Sequence, residues 1–204
     1  MKTKLIALIM TVLMSSMAYG YAYSDYEWTT YNGHQYAITL DFSDWTQAET
    51  WAVEVGGHLV TINDEAENTW VAELIKDSYV IPVPPYPNLD PHANLAWIGL
   101  EYKGSGDMAL PDSWRWTSSE PITFWNPYTG YSPFPAPNYG IHMQMLGANH
   151  DWGPGQWNNN AEHDLYLYPR GVIELPTVIP APGALILGTT GVGFVGWLRR
   201  RKAV

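Results

Sequence analysis

The sequence predicts an α+β fold, and three observations carry that prediction. Strand-like and helix-like stretches alternate through the first third of the 204-residue chain. A long middle segment dense in Pro, Gly, Asn and aromatic residues follows, and short apolar runs frame it. There is no cysteine, and all but one of the 11 tryptophans lie between Trp28 and Trp157. An early cluster of helices with a sheet completed late is the α+β pattern, and its core must form from apolar side chains alone.

Residues 21–30 read as a short N-terminal lead. Tyr36 to Leu40 is rich in residues that favour strands. Ser43 or Asp44 can cap a first helix, in which Trp45, Ala48, Ala52 and Val55 recur at helical spacing. Gly56 is placed to end it in the left-handed conformation. His58 to Ile62 predicts a second strand. Asn63 or Asp64 opens a second helix, with Glu65 and Glu67 in the first turn, where the helix dipole favours acids. Its expected apolar face is Ala66, Trp70 and Leu74, flanked by Val71 and Ile75, with an end near Lys76.

Prolines exclude regular helix or a central strand from Val80 to Pro91, so a surface excursion is expected. Ala96 to Leu100 reads as a core strand and Trp114 to Trp116 as another. Ser118 to Asn160 reads as one long loop, and loops of that length in a compact domain are usually functional. Leu165 to Tyr168 and Gly171 to Leu175 read as closing strands.

The two ends have a different character. Lys2 and Lys4 precede the apolar stretch Leu5 to Leu13, and Ala18-Tyr19-Gly20 supplies small residues for cleavage. Residues 1–20 are therefore expected to be a secretory signal peptide. At the other end the apolar run Ala184 to Leu198 is short beside the ~20 residues that span a bilayer. Arg199, Arg200, Arg201 and Lys202 follow it and should stay cytoplasmic. Without the ends, four basic residues (Lys76, Lys103, Arg115 and Arg170) face all 20 carboxylates. So acidic a surface does not suit nucleic acid as a partner.

Residues 176–204 resemble the bacterial sorting signal PEP-CTERM, in which a Pro-Glu-Pro motif, an apolar helix and an Arg-rich end are processed by an exosortase. Here Pro180 and Pro182 flank Ala181, so the central Glu is replaced. The resemblance implies export across the inner membrane, a transient stay in it through the C-terminal helix, and delivery to the cell surface or extracellular matrix. A plain C-terminal anchor that is never cut is the alternative.

The order and punctuation of residues 31–175 resemble the C-type lectin-like domain. Six segments carry the resemblance: Trp45 to Ala48 with Gly56 to Ile62, Asn63 to Asn68, Ala96 to Leu100, Trp114 to Trp116, Phe124 to Asn126, and Gln156 to Asn159. The family's first disulfide falls on Ala52 and Ile173, which implies an apolar contact in its place. A disulfide is worth about 2–4 kcal/mol and one buried Ile roughly 1.5–3 kcal/mol, so the exchange is of the right size. The second family disulfide, across the long loop, also has no counterpart.

In sugar-binding members of that family a calcium ion in the long loop coordinates sugar hydroxyls. The matching positions here are Ala136-Pro137-Asn138 and Trp157-Asn158-Asn159. They retain the amides Asn138, Asn158 and Asn159 but lack the acids. Calcium affinity follows carboxylate count, so no cofactor is expected. Those amides, with Asp151, Glu162 and Asp164 nearby, are the weak candidates for calcium. Aromatic faces and amides can bind sugar or protein without metal. Asn138, Asn158, Asn159, Trp125, Tyr128 and Tyr131 are therefore the candidate ligand-binding residues. Tyr128, Tyr131 and Phe134 are expected to be exposed; for Trp125 and Trp157 a core role competes.

Elsewhere the chemistry is thin. His150-Asp151 and His163-Asp164, with His142, could suggest a metal pair, but no fixed short spacing supports it. There is no phosphate loop, no nucleophile elbow and no thiol. The expectation is a non-catalytic, exported binding protein whose partner is a carbohydrate or an extracellular matrix protein. In the second case it has no sugar site and serves as a protein-binding or structural component of the matrix.

Overall fold

Helix α1 (Trp45–Glu54) forms where the apolar spacing placed it. Asp44 caps it, its carboxylate accepting from the Gln47 amide at 2.8 Å. Trp45, Ala48, Ala52 and Val55 are all buried, and Gly56 ends the helix at φ +93°. The computed structural model describes residues 21–78, 81–82, 94–129, 140–151, 153–160 and 167–176, with backbone only at 81–82 and 167–168. The signal-peptide segment and the sorting residues Pro180, Pro182, Arg199, Arg200 and Arg201 lie outside the described residues.

Helix α2 (Glu65–Leu74) is capped by Asp64, which accepts from the Glu67 amide at 2.8 Å. Its buried face differs from the expected one. Ala66 is exposed and Trp70 and Leu74 are half-buried, whereas Glu67, Asn68, Val71, Ala72 and Ile75 are buried. The apolar count missed this because two polar residues are turned inward to specific partners. The helix also stops short of Lys76, where Ser78 N turns back to Ile75 O at 2.8 Å.

The main sheet runs β1 (Thr29–Tyr31), β2 (His34–Ile38), β10 (Arg170–Leu175), β5 (Leu95–Tyr102), β7 (His142–Leu146) and β8 (Trp157–Asn160). Strand β3 (His58–Leu59) joins β10, and β6 (Trp114–Trp116) joins β5. The β5–β10 pair is parallel and the other pairs are antiparallel. The second strand is shorter than the expected 58–62. Val60 still binds in, its amide donating to Val172 O at 2.8 Å and its carbonyl accepting from Gly99 N at 2.9 Å.

Two segments read as loop are ordered differently. The span 118–160 contains β7 and β8, because His142–Leu146 pairs with β5 on one side and with β8 on the other. In the proline-rich excursion, β4 (Ile81–Pro82) pairs with β9 (Leu167–Tyr168) in a separate two-stranded ribbon.

Side-chain alternation along β10 divides the core. Val172 joins the large cluster under α2, with Ile98, Leu100, Met143, Met145, Trp114, Trp116 and Trp157. Ile173 faces α1, in a cluster with Ala52, Ala37, Val55, Leu175 and Tyr26 from the lead. Ala52 and Ile173 are thus buried together, both at 0% exposure, where the resemblance put a disulfide.

Candidate recognition site at strands β7 and β8

The register of β7 on β8 sets Gln144 opposite Asn158 and His142 opposite Asn160. Met143, Met145 and Trp157 enter the core on the other face. What remains is a polar row of His142, Gln144, Asn158 and Asn160, the first two buried and the last two half-buried. Asn160 Nδ2 donates to Gln144 Oε1 at 3.2 Å. The His142 ring stacks on Trp45 at 4.0 Å and 11°. Asn158 Oδ1 is buried with no hydrogen-bond partner. A buried acceptor left unmet costs ~1–3 kcal/mol, and a donor brought by a ligand removes that cost.

Trp157 pins the foot of this row. It is fully buried, and its indole N–H donates to Asn68 Oδ1 of α2 at 2.8 Å. Asn68 Nδ2 and Asn126 Nδ2 each donate to Gly155 O at 3.0 Å. Trp157 N donates to Asn126 O at 2.9 Å, and Tyr128 N to Trp157 O at 2.6 Å. Helix α2 and the two limbs of the long segment are therefore laced together through side chains of Asn68 and Asn126.

The expected site residues separate. Trp125 is half-buried against the core, with its ring 6.0 Å from that of Trp157 at 89°, so the core role holds for it. Tyr128 corrects the expectation of exposure: it is only 8% exposed, and its ring packs where a Cβ on Gly153 would come within 3.0 Å. Asn159 is buried opposite Met143 and donates to Gly140 O at 2.7 Å. Asn158 is half-buried and Asp151 exposed. His150 is buried. Asn138, Tyr131, Phe134, Tyr139, Trp152, Glu162, His163 and Asp164 lie outside the described residues.

Sequence reasoning missed Gln144 and Asn68. The signal for Asn68 was its phase, one position after Glu67 and on the same inward face as Val71 and Ala72.

The calcium implied by the resemblance is tested by this donor set. Asn158 and Asn159 are neutral and alternate across one strand, and Asn159 spends its amide N–H on a carbonyl. Among the described residues no group of three or more His, Cys, Asp or Glu could hold a metal ion. Amides without carboxylates do not make the hard anionic site calcium prefers, so these residues do not fit the ion.

Known proteins share this architecture. The mouse scavenger receptor C-type lectin carbohydrate-recognition domain superposes with a TM-score of 0.51 at 18% identity, covering 74% of this chain and 95% of that one. The fold is that of the C-type lectins. A perlucin-like protein of Mytilus galloprovincialis is 28% identical over 127 residues, 61% of this chain and 70% of its own length. A subunit of the snaclec coagulation factor IX/factor X-binding protein of Echis carinatus is 30% identical over 97 residues, 46% of this chain and 60% of its own. No protein-family model matches the chain. The snaclec subunit is named for the coagulation factors bound and the mouse domain for carbohydrate recognition, and the non-catalytic reading of the sequence agrees with both.

Proposed function

We propose that this C-type lectin-like domain recognises carbohydrate without calcium, through the 118–160 segment and, within it, the polar row of β7 and β8. The unmet Asn158 Oδ1 beside the Asn160–Gln144 pair carries the reading. Sugar hydroxyls are donors and acceptors at once, and an amide row answers both. Helix α2 supports the row rigidly through Asn68 and Trp157, which lowers the ordering cost of binding.

A glycan array read with and without chelator tests this. Binding at micromolar protein that persists in chelator is the expected result. No glycan bound at that concentration would leave a protein partner, the mode named for the snaclec relative.

The domain works outside the cell in this reading. What supports it is the order of charged, apolar and small residues over 1–20 and the Pro180/Pro182, apolar and Arg199–Arg201 order of the tail. An exosortase would remove the tail and leave the domain at the surface or in the extracellular matrix. Mass spectrometry of the exported protein should find Tyr21 as first residue and no Arg-rich end. An intact tail would favour a permanent anchor.

A further inference from the structure

The β1–β2 hairpin is fastened to the domain by a buried ionisable cluster that the recognition site does not use. His34 Nδ1 and Glu174 Oε1 of β10 share a hydrogen bond at 2.5 Å. Thr61 N donates to Glu174 Oε2 at 2.9 Å. The Tyr36 hydroxyl donates to Glu67 Oε1 of α2 at 2.6 Å, with Glu174 Oε1 3.5 Å away. Asn63 N completes the set, donating to Glu67 Oε2 at 2.8 Å. Both carboxyl groups are 7% exposed.

The proton count is the point of interest. One hydroxyl proton lies between two buried carboxyl groups and goes to the nearer. Among the described residues, His34 is the only basic side chain that pairs with either carboxyl group. His58, across the strand from Glu174, is turned to Glu49 at 2.7 Å. Asp64 adds a third acid at the start of α2, engaged by the Glu67 amide. Helix α1 meets the opposite face of β10 through Ala52, which is uncharged. Two like charges in a dry site disfavour each other strongly, so the cluster wants either an imidazolium or a bound proton.

We propose that His34, Tyr36, Glu67 and Glu174 form a proton-operated latch, which holds the β1–β2 hairpin down in mild acid and loosens it in alkali. With a proton on Glu174 the two carboxyl groups no longer carry like charges. Once that proton is lost in alkali, two carboxylates face each other across one hydroxyl. Burial holds the Glu174 carboxyl above the usual range; the Thr61 amide and His34 oppose this, and Glu67 adds to it. A raised carboxyl stabilises the fold fully below its unfolded value and loses that contribution as pH rises through its folded value. The β2–β10 ladder and the stacking of Tyr31 on Trp70 at 4.7 Å do not titrate, so the hairpin loosens rather than leaves. The latch adjoins the long segment, because Thr123 Oγ1 donates to Asn63 O at 2.8 Å and Asn63 Nδ2 to Glu120 at 2.9 Å.

Hydrogen exchange on the full chain tests the latch, with rates corrected for the intrinsic effect of pH. Protection of residues 29–38 is compared with that of the core strand 95–102, at about pH 4.5 and about pH 8.5. The wild-type ratio should fall at least about threefold as the raised Glu174 carboxyl loses its proton. Glu174→Gln should reduce the fall to less than about twofold, since it removes the group that gains the charge. Glu67→Gln gives the same test if Glu174→Gln does not fold. An unchanged wild-type ratio, or a full fall in either variant, would overturn the proposal.

Discussion

Ser119 holds a φ of +67°, in the left-handed region that side chains resist. Ser119→Gly should therefore raise stability by up to about 1 kcal/mol, read as a higher Tm. Tyr26 makes the complementary case. Its hydroxyl is buried without a partner, and burial pushes its pKa up to about 12. Tyr26→Phe should be neutral or stabilising, because the orphaned group costs ~1–3 kcal/mol where it is; a clear loss in a denaturant melt would mean the hydroxyl has a role. Gly57 permits a close approach, since a Cβ there would overlap the Glu174 carbonyl oxygen. At this scale the sequence was readable where a residue type has one common use, as with the Asp44 cap and Gly56. It misled where a helix-start acid had a second use: Glu67 lies in the first turn of α2 as expected, yet its carboxyl is buried against Tyr36.

The elements followed their apolar spacing closely where that spacing was strong. Helix α1 met its expected face residue for residue. The hairpin of β1 and β2 was missed although Asn32-Gly33, both at positive φ, is a familiar signature of a tight hairpin turn. Strand β7 was missed because His142–Leu146 has Met, Gln and Met at its centre, a weak strand signal that neighbouring strands override. The contact between Ala52 and Ile173 makes a prediction at this scale. If it does the work of a crosslink, Ile173→Ala should cost about 2–5 kcal/mol. A cost below about 1 kcal/mol would show that the aromatic lead, Tyr21 to Trp28, holds this edge instead.

Across the whole molecule, the sheet sets the β1–β2 hairpin and the β7–β8 row at its opposite edges. Helix α2 reaches the hairpin through Glu67 and the recognition row through Asn68, adjacent residues with separate tasks. The scaffold was legible from tryptophans, glycines and caps. The site was legible only in part, because amides carry no spacing rule: Asn158 was named, Gln144 was not. With neutral donors in the row, millimolar calcium should leave the Tm unchanged by linkage; a rise of several degrees would restore the ion to the site.

The most direct measurement is the affinity of the strongest glycan for the wild-type chain and for Asn158→Ala, both in chelator. Losing one buried acceptor's bond should weaken binding about tenfold with the Tm preserved. Equal affinities, or wild-type binding that vanishes in chelator, would contradict metal-free recognition at the β7–β8 row.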